Sequence, residues 1–305
     1  MSTKKKYLIS IVGATAIGKT ALSIKLAHHF NTEIISCDSR QFFKEMAIGT
    51  AVPDLDELAA APHHFIQNKS IFETYNVGNF EREALQKLDT LFQKHKIVIM
   101  VGGSGMYVNA VINGLDNFPS VDKSIRLELT ERLNTEGLVS LQNQLKELDP
   151  ITYHKIALDN PQRVSRALEI CIGSGQPYSS FLNKEKDKRN FTPISIGLTA
   201  ERALMYERIN TRVDTMIDNG LLDEVKALHA HKNLNALNTV GYKELIKYLD
   251  GEWDLSFAIS EIKKNTRRFA KRQVTWFKRN EDTKWFDYNY NLDAVTDFIS
   301  SHIKE

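Results

Sequence analysis

Residues 13–20 read GATAIGKT: a glycine, four residues, then glycine, lysine and threonine. In such a loop, set where a helix begins, successive backbone N–H groups surround phosphate oxygens and the helix dipole favours the anion. Gly13, Ala14, Thr15, Ala16, Ile17, Gly18, Lys19 and Thr20 are therefore the candidate site for a diphosphate or a nucleotide. Lys19 adds a point charge, and the Thr20 hydroxyl is a candidate ligand for Mg²⁺. A chance match in a glycine-containing turn is the alternative. The apolar run before the loop and the amphipathic helix after it weigh against that. The pattern specifies phosphate and leaves the reaction open.

Asp38 follows the apolar run EIISC at 33–37. In parallel α/β sheets ligands gather beyond the carboxyl ends of the strands, so Asp38 should face the phosphate loop. There it could take a proton from a nucleophile or hold a metal's water, or it could simply shape the turn as Asp often does. A glycine loop, Gly102-Gly103-Ser104-Gly105, follows a second apolar run, IVIMV. It admits either close backbone approach to a ligand, with one hydrogen bond from Ser104, or a tight turn with nothing bound. The segment 263–279 carries eight Lys or Arg and no acid. On a helix, Arg268, Arg272, Thr275 and Arg279 form one stripe, and Phe269, Gln273, Trp276 and Phe277 a packing one. The cationic stripe suits phosphate-rich ligands or RNA. Arg163 and Arg166 lie three apart, Arg208 and Arg212 four apart; each pair could be ordinary surface charge. His63 and His64 lack further ligands at metal spacing and read as structural, the other histidines as solvated, and Trp276 and Trp285 as core.

Positioning these groups requires an α/β frame. Tyr7–Val12 is a short apolar strand, followed by a helix with Leu22, Leu26 and Phe30 on one face and Asn31 able to end it. Glu33–Cys37 and Ile97–Val101 are further strands. Alternating strand and helix implies a parallel sheet covered on both faces. From about Asp122 the chain is helical and polar, and Ile194–Leu198 returns as a strand. The expected organisation is a P-loop α/β core at 1–119 and 193–305 with a helical insertion at 120–192. Beyond 200 the chain reads as mostly helical.

The chain has 305 residues, 42% of them hydrophobic, enough for a sizeable core. Its net charge of +2 selects no partner by itself. Two distant cysteines, Cys37 and Cys171, make neither a disulfide framework nor a zinc site and fit a reducing cytoplasm. The basic start MSTKKK runs into a strand rather than a signal segment. No apolar run reaches membrane-spanning length, and no motif calls for more than a monomer.

Together these segments resemble the tRNA dimethylallyltransferase family, also called tRNA isopentenyltransferases. The resemblance runs through GATAIGKT at 13–20, DSRQFFKEMAIGTA at 38–51, APHHF at 61–65 and VGGSGMYVNAVINGL at 101–115. It continues through DNPQRVSRALEI at 159–170, GLLDEV at 220–225, TVGYKE at 239–244 and TRRFAKRQVTWFKR at 266–279. It implies a helical insertion that grips a tRNA anticodon stem-loop and an adenine, at tRNA position 37, flipped into a channel. Dimethylallyl diphosphate enters from the other side, and N6 attacks its allylic carbon with Mg²⁺ assisting the departure of diphosphate. By the same match Asp38 is the base toward N6 and Ser104 a catalytic neighbour. Contacts to tRNA fall on Asp38, Ser39, Arg40, Gln41, Ser104 and Arg126, on Gln162, Arg163, Val164, Ser165 and Arg166, and on Thr239, Val240, Gly241, Tyr242, Lys243 and Glu244. Two positions depart from the family pattern: serine stands at 104 where threonine is usual, keeping the hydroxyl, and Val52 replaces a usual lysine. A small-molecule kinase, a prenyltransferase acting on free adenine nucleotides and an RNA-binding ATPase are the competing readings. The insertion and the basic 263–279 segment weigh against the kinase, and the insertion with its QRVSR segment against free nucleotides; ATP turnover without prenyl transfer would favour the ATPase.

Overall fold

The computed structural model describes residues 5–184 and 187–303; the first four residues of the basic lead lie outside them. Two compact units are present, one made of residues 1–113 and 189–305 and the other of 114–188.

The first unit is built on six parallel strands. They are β1 (Tyr7–Gly13), β2 (Ile34–Ser36), β3 (His63–His64), β4 (Ile97–Val101), β5 (Thr192–Thr199) and β6 (Lys284–Asp287), in the spatial order β3-β2-β4-β1-β5-β6. All seven residues of β1 are buried. Its position between β4 and β5 removes both faces from water, which is why YLISIVG shows no alternation. Ile9 and Ile11 pack with Leu22 and Leu26 of α1 (Lys19–Phe30), while Leu8 and Val12 pack on the opposite side with Phe80, Ala84 and Leu88. Helix α1 ends as expected at Asn31, whose backbone is left-handed with φ 47°. Strand β2 is shorter than the expected 33–37, although the Glu33 carbonyl and the Cys37 N–H at its two ends still bond β4, at Ile99 and Val101. The two edge strands were not legible in the sequence: each is at most four residues long, too short to impose a period.

After α2 (Leu55–Ala60), the helices α3 (Val77–Leu91) and α4 (Gly105–Asn113) cover the sheet, and the chain then leaves for the second unit. That unit holds α5 (Lys123–Thr135), α6 (Leu138–Leu148), α7 (Pro150–Lys155) and α8 (Pro161–Ser174) around Leu129, Leu141, Leu145, Val164, Leu168 and Cys171. Its compact span of 114–188 sits a few residues earlier than the 120–192 read from the sequence. The buried Asp149 organises it: one carboxylate accepts the Thr152 and Ser179 N–H groups and both hydroxyls, at 2.6–3.0 Å. Asn160 caps α8 by accepting the Arg163 N–H at 3.2 Å, and Pro161 occupies the first helical position, where its missing N–H is harmless.

Back in the first unit, α9 (Arg202–Asp218), α10 (Leu221–Leu228), α11 (Tyr242–Leu249) and α12 (Leu255–Phe277) enclose a further core with Val213, Val225, Tyr242, Leu245 and Ile262. Phe43 and Met46 enter it from the loop after β2. Helix α13 (Leu292–His302) closes the α1 face through Val295 and Ile299. No helix among the described residues is long and apolar enough to cross a membrane.

Candidate active site

The phosphate loop joins β1 to α1. Gly18 takes φ 103°, a left-handed conformation that L side chains resist, and so starts the helix at Lys19. The Lys19 ammonium donates to the Ala14 carbonyl at 2.6 Å. Burial pulls its pKa from 10.5 down to about 8, against the opposing pull of Asp38 and with help from Arg212. A cavity of about 790 Å³ opens beside it, lined by Lys19, Thr20, Asp38, Gly103 and Arg212 among others.

Asp38 takes the turn-shaping role and also lines the cavity. Its Oδ1 accepts the Arg40 N–H at 3.0 Å and closes an Asx turn. Its Oδ2 makes no hydrogen bond to the described residues. One oxygen is thus engaged in the turn, and Asp38 is among the residues that line the cavity. Ser104 supports this turn: its Oγ accepts the Ser39 N–H at 3.0 Å and donates to the Ser39 Oγ at 3.0 Å. The glycine loop is therefore more than a tight turn, since it braces the residue next to Asp38.

Two arginines of α9 complete the phosphate side. Arg212 donates to the Thr15 hydroxyl at 3.3 Å, and Arg208 donates through Nε to the Ala16 carbonyl at 2.9 Å. Burial lowers the Arg212 pKa while Asp38 raises it, and a guanidinium keeps its charge throughout. The sequence displayed their four-residue spacing, but only the packing of α9 beside the loop gives the pair a target. Gln273, read as a packing residue, also belongs here: it bonds Thr15 and Gly103 at once.

Several of the other expected contacts are already buried or bonded within the chain. Arg40 donates to the carbonyls of Asn235, Ala236 and Asn238 at 2.9, 3.0 and 3.4 Å. Gln41 donates to the Thr50 and Ala51 carbonyls at 3.2 and 2.8 Å and accepts from Ser36 at 3.2 Å. These two side chains brace the loops at 235–238 and 50–51. Tyr242 is 0% exposed, and Val164 and Glu244 are buried as well, so their side chains offer no outer contact. Tyr242 donates to Glu224 at 2.5 Å. Glu224 also accepts the N–H groups of Ala47, Ile48 and Gly49 at 2.8–3.0 Å, which fixes the loop leading to the cavity wall at 50–54. Glu244 accepts from the Gly241 N–H and from Asn265, both at 2.8 Å. Thr239 and Val240 are half-buried and Lys243 is exposed.

In the second unit Gln162 and Arg163 are exposed at the start of α8, with Ser165 and Arg166 half-buried. Glu169 holds Arg166 at 2.9 Å and stands 3.9 Å from Arg126, whose side chain is 63% exposed. One acid thus gathers two cations on the α5–α8 surface. On α12 Arg268, Arg272 and Thr275 are exposed as expected, Arg279 is exposed in the turn just past the helix end, and the packing stripe is corrected. Ala270, Gln273 and Phe277 are buried, while Phe269 and Trp276 are 39% and 41% exposed. At 100° per residue both rings lie one step outside the inward face, and Arg272 and Arg279 rest on them at 5.8 and 5.5 Å. Trp285 is half-buried against the sheet core.

No group of three or more His, Cys, Asp or Glu among the described residues is placed to hold a metal. His64 instead contacts Glu33 at 2.6 Å, as His95 does at 3.4 Å, and His229 pairs with Asp250 at 2.8 Å rather than lying free in solvent. The Thr20 hydroxyl, with Ser36, Asp54 and Glu57 on the same cavity wall, fits an ion held by one or two protein oxygens and substrate phosphates rather than by a protein cage.

Residues 41–280 match the family model described as IPP transferase. The chain is 59% identical over 305 residues to the tRNA dimethylallyltransferase of Flavobacterium johnsoniae, covering 98% of this chain and 99% of that one. It is 60% identical over 297 residues to that of Christiangramia forsetii, covering 97% and 98%. Its fold is similar to the crystal structure of the full-length tRNA isopentenylpyrophosphate transferase of Bacillus halodurans, with a TM-score of 0.73, 36% identity and coverage of 99% and 97%. It is also similar to a eukaryotic dimethylallyltransferase acting on tRNA, with a TM-score of 0.82, 28% identity and coverage of 97% and 80%. With the sheet, the phosphate loop and the helical second unit in place, the chain belongs to the IPP transferase family.

Proposed function

We propose that this protein transfers a dimethylallyl group from dimethylallyl diphosphate to N6 of the adenine at tRNA position 37, next to the anticodon. The observation that carries this reading is one cavity holding both halves of the chemistry. Lys19 of the phosphate loop and Arg212, bonded to that loop from α9, line one wall, and Asp38 lines the same cavity. The relatives' shared name, tRNA dimethylallyltransferase, supplies the substrates.

Adenine N6 is a weak nucleophile because its lone pair is delocalised into the ring. As it attacks the allylic carbon, the carbon–oxygen bond breaks and its electron pair leaves with diphosphate. N6 then carries positive charge, and Asp38 takes its proton. Lys19, Arg212 and the loop amides stabilise the charge that develops on the departing diphosphate. Thr20 would hold Mg²⁺ together with phosphate oxygens, and the ion would supply further neutralisation of that charge. Gln162, Arg163 and Arg166, with Arg126 beside them, offer the cations for an anticodon stem-loop, and the Arg268–Arg272–Arg279 stripe offers more. A tRNA substrate and two free, buried cysteines fit the cytoplasm.

Mass analysis of tRNA nucleosides after incubation with dimethylallyl diphosphate tests the reading. The expected product is an N6-prenylated adenosine next to the anticodon. Phosphate transfer from ATP without prenylation would overturn it in favour of a kinase.

A further inference from the structure

Gln273 stands between the two loops that meet at the cavity. Its Oε1 accepts the Thr15 N–H at 2.9 Å, and its Nε2 donates to the Gly103 carbonyl at 2.9 Å. A primary amide carries one acceptor arm and one donor arm, and only one orientation of it satisfies both partners. The residue is 5% exposed, so breaking either bond leaves a buried group unpaired. The seat also has no slack: a Cβ on Gly103 would lie 2.2 Å from the Gln273 nitrogen.

The contact continues past Gly103. The Ser104 hydroxyl accepts the Ser39 N–H and donates to the Ser39 hydroxyl, and Ser39 follows Asp38, which is locked in its own turn by Arg40. An unbroken path therefore runs from the phosphate loop through Gln273, Gly103, Ser104 and Ser39 to Asp38. Gln273 is the one side chain in that path that reaches the phosphate loop itself. The Thr15 amide is already committed to it, so the phosphates fall to the amides that follow.

We propose that Gln273 is a positioning residue of the transfer reaction: it sets the separation between the leaving diphosphate on the phosphate loop and the carboxylate of Asp38. The proposal rests on the prenyl-transfer reading above. Gln273 lines the cavity, but both arms of its amide are spent on the two loops, so loss of its two bonds acts first on the distance between the groups those loops carry. A misplacement of about 1 Å is enough to slow a reaction ~10²-fold.

The test compares Gln273→Met, which fills the same space without hydrogen bonds, with Gln273→Glu, which keeps the acceptor for Thr15 and loses the donor to Gly103. The single-turnover rate of prenyl transfer is expected to fall about 10²-fold in the Met variant. Its affinities for dimethylallyl diphosphate, by calorimetry, and for tRNA should both stay at the wild-type level. Hydrogen exchange at the Thr15 amide should accelerate in the Met variant and not in the Glu variant. A wild-type rate in a folded Met variant would reduce Gln273 to a space-filler, and a parallel loss of donor affinity would make it a binding residue; either overturns the proposal. If the Met variant does not fold, the Glu variant carries the test, with a slowed rate and protected Thr15 expected and an unchanged rate overturning it. Absence of transfer by the wild type would instead refute the functional reading, while exchange at Thr15 would still report the clamp.

Discussion

Lys19 makes the affinity for the prenyl donor depend on pH in a range where few other groups titrate. Burial lowers its pKa from 10.5 to about 8 in the ligand-free protein, with Asp38 opposing the shift and Arg212 adding to it. The ammonium is then about 90% charged at pH 7 and about 10% charged at pH 9. A bound diphosphate restores a counter-charge and favours the charged form, so binding above pH 8 must take up a proton. The donor's own last phosphate proton leaves near pH 6, below this window. Calorimetry with dimethylallyl diphosphate should therefore show constant affinity from pH 7 to about 7.5, then a fall approaching tenfold per unit above 8. Lys19→Arg keeps its charge and should show no such break. The sign for stability is opposite. The unfolded chain holds the lysine proton up to 10.5 and the folded one only to about 8, so the ligand-free protein gains stability as pH rises between these values. That gain is lost progressively as pH falls from 10.5 to about 8, and below 8 it is gone. A donor affinity that stays flat from pH 7 to 9.5 in the wild type would refute the argument, since it would mean that the lysine is charged throughout or is not used.

Three further outcomes follow from named contacts. Asp38→Asn keeps a side-chain oxygen that can accept the Arg40 N–H, so the turn should survive; the base should not, and the single-turnover rate should fall about 10²–10⁴-fold with tRNA affinity unchanged. Arg163→Ala removes an exposed cation from the start of α8 and should flatten the salt dependence of tRNA binding by about 0.7–0.9 in the log–log slope, which filter binding at a series of salt concentrations measures. Glu224→Gln replaces one acceptor oxygen by a donor facing the backbone N–H groups of the 47–49 loop; stability in urea should drop by about 2 kcal/mol or more, with donor binding weakened as the 50–54 wall loosens.

The sequence by itself determined the groups whose meaning is local. A phosphate loop is a run of eight residues between a strand and a helix, and its anion-binding character comes from amides that are neighbours in the chain. The buried strands β1 and β4 and the amphipathic α1 were equally legible, because continuous apolar runs and a 3.6-residue period are properties of short segments. The segment order, read whole, also pointed to the family. What only the tertiary structure decided was which polar side chains are already engaged. Arg40, Gln41 and Tyr242 read as contacts for RNA, yet their partners lie at 235–238, at 50–51 and at Glu224, and no local pattern encodes such pairings. Arg208, Arg212 and Gln273 show the converse: ordinary helix residues in sequence, they reach the phosphate loop only because α9 and α12 pack beside it, some 190 to 260 positions further along the chain. The inward face of α12 was misjudged for the same reason, since a helix buried on one side by several neighbours is read correctly only when their positions are known. A hydrogen bond's geometry depends on distances through space, and those are set by the packing of the whole core rather than by any stretch of the chain.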